Sequence, residues 1–165
     1  TIAYYLDIYK KLKEINPAVR FSSDFIIGYP GEDEKDFNNT LNLIKEIKFI
    51  NSYSFIFSPR PGTVASKLNL IDNKISSNRL EIIQQKLFDH QLKMNKSLEN
   101  DVIDVLVENK MKKSTKFFGR SQYMTPVIFN GNEEDIGKIV KIKINDSNKN
   151  NLFGEIINKS KLKVA

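Results

Sequence analysis

The sequence predicts an α/β segment with parallel strands, followed by a small antiparallel β-barrel of the OB-like kind. Two observations lead to this prediction. Residues 1–63 alternate between helix-like and strand-like patterns, and after about residue 98 the chain changes to short strands separated by polar turns. We therefore predict one domain over residues 1–97 and a second over residues 98–165.

The first part contains two helix–strand units, each ending in a loop. Residues 4–15 carry apolar side chains at helical spacing, and Pro17 follows. Residues 20–28 are typical of a buried strand that runs into a turn. Residues 32–47 predict a helix with an acidic first turn, and residues 53–57 a second strand. This order indicates a parallel α/β architecture, whose ligand sites lie in loops after the carboxyl ends of the strands.

A long helix ends the first part, and strands follow it. Residues 78–98 repeat apolar side chains every three or four positions. Residues 102–108, 123–129, 139–144 and 153–157 predict short strands, and the clean alternation within 139–144 indicates one buried face. Four or five such strands in about sixty residues are typical of a small barrel.

The composition excludes several classes of protein. The 165 residues are 40% hydrophobic and 28% charged, so the chain can build a core. No apolar run approaches the roughly 20 residues of a membrane span, and we recognise no signal peptide, so we expect a cytoplasmic protein without a membrane partner. The absence of cysteine excludes disulfides and thiolate metal sites here. Because the first residue is Thr, we expect a fragment of a longer protein.

Net charge permits a polyanionic partner without establishing one. Lys and Arg number 26 against 20 Asp and Glu, a formal charge of +6. Between residues 109 and 132 there is no acidic residue, and Phe117, Phe118 and Tyr123 accompany the cations of this stretch. Those cations are Lys110, Lys112, Lys113, Lys116 and Arg120. The mixture suits single-stranded or looped RNA, although the two Phe could equally be core residues of a strand beside an ordinary solvated edge.

Two loops are candidate ligand sites. The 28–32 loop, Gly-Tyr-Pro-Gly-Glu, could be a simple strand-to-helix turn, or its glycines could let the backbone approach a ligand. Asp24 lies in the apolar strand before it, where a buried carboxylate would need a partner. The 58–63 loop, Ser-Pro-Arg-Pro-Gly-Thr, holds Arg60 between two prolines. Arg60 could grip a carboxylate or phosphate, or it could be merely solvated.

Taken together, these motifs resemble one family. SSDFIIGYPGE at 22–32 and YSFIFSPRPGT at 53–63 are similar to the C-terminal part of radical-SAM methylthiotransferases of the MiaB type. VLVE at 105–108, FGRS at 118–121 and GKIVKI at 137–142 resemble the TRAM domain that ends these enzymes. The first domain would then be the end of a partial parallel β/α radical-SAM barrel. The resemblance covers essentially the whole chain in the right order.

The resemblance implies a tRNA-modifying enzyme. Such enzymes attach a methylthio group to N6-(dimethylallyl)adenosine next to the anticodon, using S-adenosyl-L-methionine and two [4Fe-4S] clusters. The family's cluster cysteines lie upstream of the segment that this chain resembles, so this piece alone would be inactive and would contain no catalytic residue. Implied partners are the tRNA anticodon stem-loop and an electron donor such as flavodoxin or ferredoxin, and we expect a monomer.

The resemblance also implies residue roles. S-adenosylmethionine would be bound by Ser23, Asp24, Gly28, Pro30, Gly31, Glu32 and Arg60, with Arg60 also able to reach tRNA. The tRNA backbone would be held by Lys112, Lys113, Lys116 and Arg120.

Two alternatives remain. One is a sister methylthiotransferase acting on threonylcarbamoyladenosine tRNA or on a ribosomal protein, although the 58–63 loop and Phe118-Gly-Arg fit the dimethylallyladenosine branch best. The other is a non-catalytic RNA-binding module, whose α/β part is only a scaffold.

Overall fold

The computed structural model describes residues 1–157, and the chain divides into two compact units, Thr1–His90 and Gln91–Ala165. The first unit contains helices α1 (Ile2–Ile15) and α2 (Glu34–Ile47), with strands β1 (Asp24–Ile27) and β2 (Tyr53–Ile56). Helix α3 (Asn73–Ser97) begins in the first unit and ends in the second. Within residues 1–157, no helix is both long and apolar enough to cross a membrane.

Strands β1 and β2 pair in parallel, with Asp24 opposite Tyr53 and Ile27 opposite Ile56. The predicted α/β order of the first part is confirmed. One face of this pair packs on the core of the unit, which also takes side chains from α2 and α3. The buried members of this core are Phe25, Ile27, Phe37, Ile44, Ile47, Phe49, Ile83 and Leu87.

Helix α2 begins two residues later than the sequence predicts because Asp33 caps it. The Asp33 carboxylate accepts a hydrogen bond from the backbone N–H of Asp36 (2.8 Å), and the Asp36 carboxylate accepts one from the N–H of Asp33 (3.4 Å). This reciprocal capping box fixes the first helical residue as Glu34. Glu32, predicted to lie in the first helical turn, belongs to the preceding loop instead.

The second unit is a closed five-stranded barrel in the order β3-β4-β5-β7-β6. Its strands are β3 (Val102–Lys110), β4 (Lys116–Ser121), β5 (Pro126–Asn130), β6 (Ile139–Ser147) and β7 (Leu152–Ile156). The barrel interior is filled mainly by branched apolar side chains. Fully buried members are Val105, Val107, Val127, Phe129, Ile142, Ile144 and Leu152.

The small barrel is confirmed, but it is mixed and not wholly antiparallel as predicted. Strands β5 and β7 pair in parallel, with Val127 opposite Leu152, whereas the other four pairs are antiparallel. Five strands cannot alternate in direction all the way round a closed ring, so one neighbouring pair must be parallel. Strand β4 was also absent from the predicted strands.

Candidate functional site

The two loops that follow β1 and β2 start at the same edge of the strand pair. The backbone N–H of Phe57 donates to the carbonyl of Ile27 (2.8 Å), which continues the ladder past the last paired residues. Beyond it, the rings of Tyr29 and Phe57 meet edge to face, with centroids 5.1 Å apart. The predicted placement of both loops at the carboxyl ends of parallel strands is therefore confirmed.

Glu32 closes the 28–32 loop on itself. Its carboxylate accepts a hydrogen bond from the backbone N–H of Gly28 (3.0 Å) through Oε2 and one from Arg79 Nη1 (2.8 Å) through Oε1. Arg79 Nη1 also donates to the carbonyl of Glu32 (3.1 Å). The side chains of Arg79 and Glu32 are only 8% and 13% exposed. The Glu32 carboxylate is thus committed to holding the loop in shape.

Arg79, on α3, is a site residue that the sequence analysis missed. Its Nη2 donates to Glu34 Oε2 (3.0 Å), and its guanidinium lies 5.2 Å from the centre of the Phe37 ring. Burial alone would lower the pKa of Arg79, but the hydrogen bonds to Glu34 and Glu32 outweigh it and raise the pKa. A single arginine beside a helical apolar stripe has no motif spacing that could have indicated this role.

Gly28 is required where it stands. Its φ is +72°, a left-handed conformation, and a Cβ built there would lie 2.5 Å from Ser76 Oγ. Gly31 has φ +94° but faces open space, with no atom within 4 Å of where its Cβ would lie. The backbone of the loop is therefore packed at Gly28 and accessible at Gly31. Pro30 is buried and Tyr29 is exposed.

Ser23 and Asp24 lie at the other end of β1 from this loop. Asp24 and Gly28 are four positions apart, which is about 13 Å along a strand, so the structure does not bring them together. Ser23 is half-buried and its N–H donates to Ser52 Oγ (3.0 Å). Asp24 lies on the exposed face of the strand, so the expectation of a buried carboxylate in need of a partner is wrong. Alternation along the strand turns Asp24 away from the core that Phe25 enters.

Arg60 is exposed at the tip of the 58–63 loop. Its carbonyl accepts hydrogen bonds from the N–H (3.2 Å) and the Oγ1 (2.8 Å) of Thr63, which make a closed turn. The loop thus holds the backbone at Arg60 while leaving its side chain open to solvent.

The residues of this chain do not fit an iron–sulfur cluster. The chain contains no cysteine and so contributes no thiolate. Within residues 1–157, no three His, Asp or Glu side chains lie close enough to hold a metal ion. The accessible backbone at Gly31 and the exposed side chains of Tyr29 and Arg60 are groups that a cofactor could contact.

The outer face of β4 carries a cation, an aromatic ring and a second cation. Lys116, Phe118 and Arg120 alternate with the inward-facing Phe117, Gly119 and Ser121. Phe117 is 2% exposed and packs 6.5 Å from the ring of Phe129. Of the two phenylalanines considered for base stacking, Phe117 is therefore a core residue, and only Phe118 is partly exposed.

The acid-free stretch acquires acidic neighbours in the fold. Lys110 Nζ pairs with Glu133 (3.0 Å), and Arg120 Nε pairs with Glu108 (3.1 Å). Lys112, Lys113 and Lys116 are exposed around the β3–β4 turn, and none of them forms an ion pair within the described part of the chain. These three lysines are thus the uncompensated charge of the predicted RNA-binding set.

The family model described as "TRAM domain" matches residues 96–157, which contain the whole barrel. The chain carries a TRAM domain. This confirms the TRAM part of the resemblance.

The chain is similar, over all or most of its length, to the C-terminal part of several tRNA-2-methylthio-N(6)-dimethylallyladenosine synthases. It is 64% identical, over all 165 residues, to the tRNA-2-methylthio-N(6)-dimethylallyladenosine synthase of Pelagibacter ubique, of which it covers 37%. It is 42% identical over 93% of its length to the synthase of the same name from Rickettsia akari, covering 35% of that protein. The one from Ruthia magnifica is 44% identical over 90% of the chain. The resemblance to this family is confirmed, and the TRAM-bearing chain spans about a third of the length of these relatives.

Proposed function

We propose that this chain is the RNA-binding end of a radical-SAM methylthiotransferase. The whole enzyme would convert N6-(dimethylallyl)adenosine next to the anticodon of tRNA into its 2-methylthio derivative. The observation that carries this proposal is a 64% identity to a synthase that is named for that product. The match covers the whole length of the chain.

Within that enzyme, the domains would divide the work. Residues 1–97 would complete the radical-SAM domain and residues 98–165 would form the TRAM domain, a division supported by the family match at 96–157. The barrel would hold the tRNA anticodon stem-loop through Lys112, Lys113 and Lys116, because exposed and uncompensated lysines gain most by neutralising phosphates. Arg120 is partly neutralised by Glu108 and would contribute less to that backbone contact.

The 28–32 loop and Arg60 would border the S-adenosylmethionine cleft. Gly31 would offer accessible backbone beside the strand edge, Gly28 would allow the left-handed turn that shapes the loop, and Arg60 would reach cofactor or tRNA from the neighbouring loop. Glu32 would act by holding the loop's shape, since its carboxylate already binds Arg79 and Gly28. Together with two [4Fe-4S] clusters held elsewhere in the enzyme, S-adenosylmethionine would supply the radical chemistry and the methyl group. A cytoplasmic monomer reduced by a flavodoxin or ferredoxin would suit such an enzyme.

The proposal is tested on the full-length protein that contains this chain. After anaerobic reconstitution with iron and sulfide, the protein is incubated with S-adenosylmethionine, a reductant and tRNA carrying dimethylallyladenosine. The nucleosides are then analysed by mass spectrometry, and we expect the 2-methylthio product to accumulate.

Other outcomes of this experiment overturn the proposal in different ways. A product formed only on threonylcarbamoyladenosine tRNA, or only on a ribosomal protein, would assign the chain to a sister branch. Binding of tRNA with no modification of any of the three substrates would leave a non-catalytic RNA-binding module.

A further inference from the structure

A pocket opens on the outer face of the barrel where β6, β3 and β4 lie side by side. Its volume is about 280 Å³. Its lining includes Leu106 and Glu108 of β3, Arg120 of β4, Ile139 of β6, and Gln122 and Met124 from the turn after β4. Leu106 is the register partner of both Ile139 and Arg120, so these three side chains form one row across the three strands.

The walls of the pocket are apolar and exposed. Ile139 is 71% exposed, Met124 60% and Leu106 43%. Three large apolar side chains that leave so much surface in water around one concavity indicate a binding site for an apolar or flat partner. Covering them with a ligand would gain free energy by removing this surface from water.

The guanidinium of Arg120 is fixed in place at the side of this pocket. Its Nε pairs with Glu108 (3.1 Å), its Nη1 donates to the carbonyl of Met124 (3.2 Å), and its guanidinium lies 5.5 Å from the centre of the Phe118 ring. Its Nη2 donates no hydrogen bond within residues 1–157. A guanidinium fixed from three sides loses little conformational freedom when the remaining nitrogen binds a ligand.

The charges around the pocket favour a neutral ligand over an anion. The Arg120 guanidinium faces the Glu108 carboxylate, and Asp104, a further lining residue, pairs with Lys141 (2.9 Å). Each cation is thus balanced by a carboxylate, which disfavours a phosphate. A flat heterocycle with a polar edge satisfies both the apolar walls and the free hydrogen-bonding groups of Arg120 and Gln122.

We propose that this pocket binds one unpaired nucleobase of the RNA that the barrel holds. This inference rests on the proposed RNA binding. The apolar side chains would cover the faces of the base, and Arg120 Nη2 would donate to an acceptor on its edge, as proteins read unstacked bases in RNA loops. Lys116 lies on the same face of β4, four residues or about 13 Å from Arg120, where it can hold the backbone of the same strand. The volume, just below the roughly 300–1,000 Å³ of drug-sized ligand pockets, suits a single base.

The test is an abasic scan of RNA binding by the chain. A set of anticodon stem-loop RNAs, each with one loop base removed and its phosphate kept, is titrated against the protein. We expect one abasic position to weaken binding by roughly 5- to 150-fold, the loss typical of one stacked base. The other positions should change affinity little, because their phosphate contacts are intact.

Variants of the protein then test whether the base at the critical RNA position is the one that the pocket binds. Ile139→Ala should weaken binding of the intact RNA by roughly 5-fold and have a much smaller effect on the RNA that lacks the critical base. Ile136→Ala is the matched control, since Ile136 is 43% exposed but does not line the pocket, and it should leave both affinities unchanged. Circular dichroism confirms that each variant is folded.

The outcomes separate this inference from the proposed function. If the chain binds no RNA, the proposed function fails and the inference falls with it. If the chain binds intact RNA tightly but no abasic position matters, RNA binding stands and the pocket does not hold a base. An equal effect of Ile139→Ala on intact and abasic RNA would place the critical base outside the pocket, and it would also overturn the inference.

Discussion

At the scale of single residues, Arg79 determines the shape of the 28–32 loop. It reaches from α3 to two carboxylates and one backbone carbonyl, and it is almost entirely buried. A buried ion pair adds little when compared with an apolar replacement of both partners, but breaking it leaves the remaining charge buried without compensation. Loss of Arg79 would leave the largely buried Glu32 carboxylate without its ion-pair partner.

We therefore predict that Arg79→Ala destabilises the first unit by about 3–5 kcal/mol. Urea unfolding followed by circular dichroism measures this, since the chain has no tryptophan. Glu34→Gln is the matched control, because Glu34 binds the same guanidinium with a side chain that is 74% exposed, and it should cost less than about 1 kcal/mol. Equal losses from both variants would show that burial does not distinguish the two pairs.

Arg60 allows a test of function without a cost in stability. It is exposed, and the turn around it is made by its backbone and Thr63. We predict that Arg60→Ala in the full-length enzyme lowers turnover at least about 10-fold, the size of one lost charged contact, and leaves the unfolding temperature unchanged.

Lys67→Ala removes another exposed cation from the same stretch of chain and serves as the control for Arg60→Ala. Full turnover with Arg60→Ala, measured by nucleoside mass spectrometry, would show that Arg60 contacts neither cofactor nor tRNA during the reaction.

At the scale of elements, the sequence predicts strands well where alternation is regular and poorly where it is interrupted. Strand β6 was recognised from its clean alternation. Strand β4 was missed because Gly119 occupies one of its inward positions, where an apolar side chain would have continued the pattern. A Cβ at Gly119 would collide with the carbonyl of Leu106 on β3. Gly119 therefore permits β4 to pair with β3, and the same residue interrupts the sequence pattern by which β4 could have been recognised.

A buried amide network joins the end of α3 to the turn between β6 and β7 within the second unit. Asn95 is fully buried, its Nδ2 donates to the carbonyl of Asn148 (2.7 Å), and its Oδ1 accepts from Gln91 Nε2 (2.9 Å). The Asn148 side chain in turn accepts hydrogen bonds from the N–H groups of Asn150 (2.9 Å) and Asn151 (2.8 Å). The turn at 148–151 is therefore ordered by specific contacts.

We predict that Asn95→Ala destabilises the barrel unit by about 1–3 kcal/mol, because it removes a fully buried amide that hydrogen-bonds both Gln91 Nε2 and the Asn148 carbonyl. Hydrogen exchange of the barrel amides measures the change in opening free energy. Asn145→Ala, an exposed substitution near the end of β6, should change it by less than about 0.5 kcal/mol. If the two variants exchange alike, the network does not stabilise the unit.

At the scale of the whole molecule, the sequence was enough to predict where the two loops and the basic surface lie. It did not predict the ion pairs that their residues form. Chain order is enough to place two loops at one edge of a parallel pair. Pairing between distant residues is not visible in a linear pattern, so Arg79 with Glu32 and Arg120 with Glu108 appear only in the fold. These pairs divide the predicted site residues into those that form an ion pair, Glu32 and Arg120, and those that form none within residues 1–157.

That division leads to a prediction about RNA binding. Of the predicted RNA-binding cations, Lys112, Lys113 and Lys116 form no ion pair within residues 1–157. Their simultaneous replacement by alanine should therefore weaken binding of the anticodon stem-loop. Each phosphate contact contributes about 0.7–0.9 to the slope of log affinity against log salt, so the slope should become shallower by roughly 2 to 3. Fluorescence anisotropy of a labelled RNA at several salt concentrations measures it.

The control is the triple replacement of Lys10, Lys35 and Lys45, exposed lysines of the first unit, by alanine. It removes the same net charge but no contact on the barrel. We expect its salt slope to stay near that of the unmodified chain. If both triple variants flatten the slope equally, net charge and not the β3–β4 turn governs the interaction, and the phosphate contacts must be sought on another face.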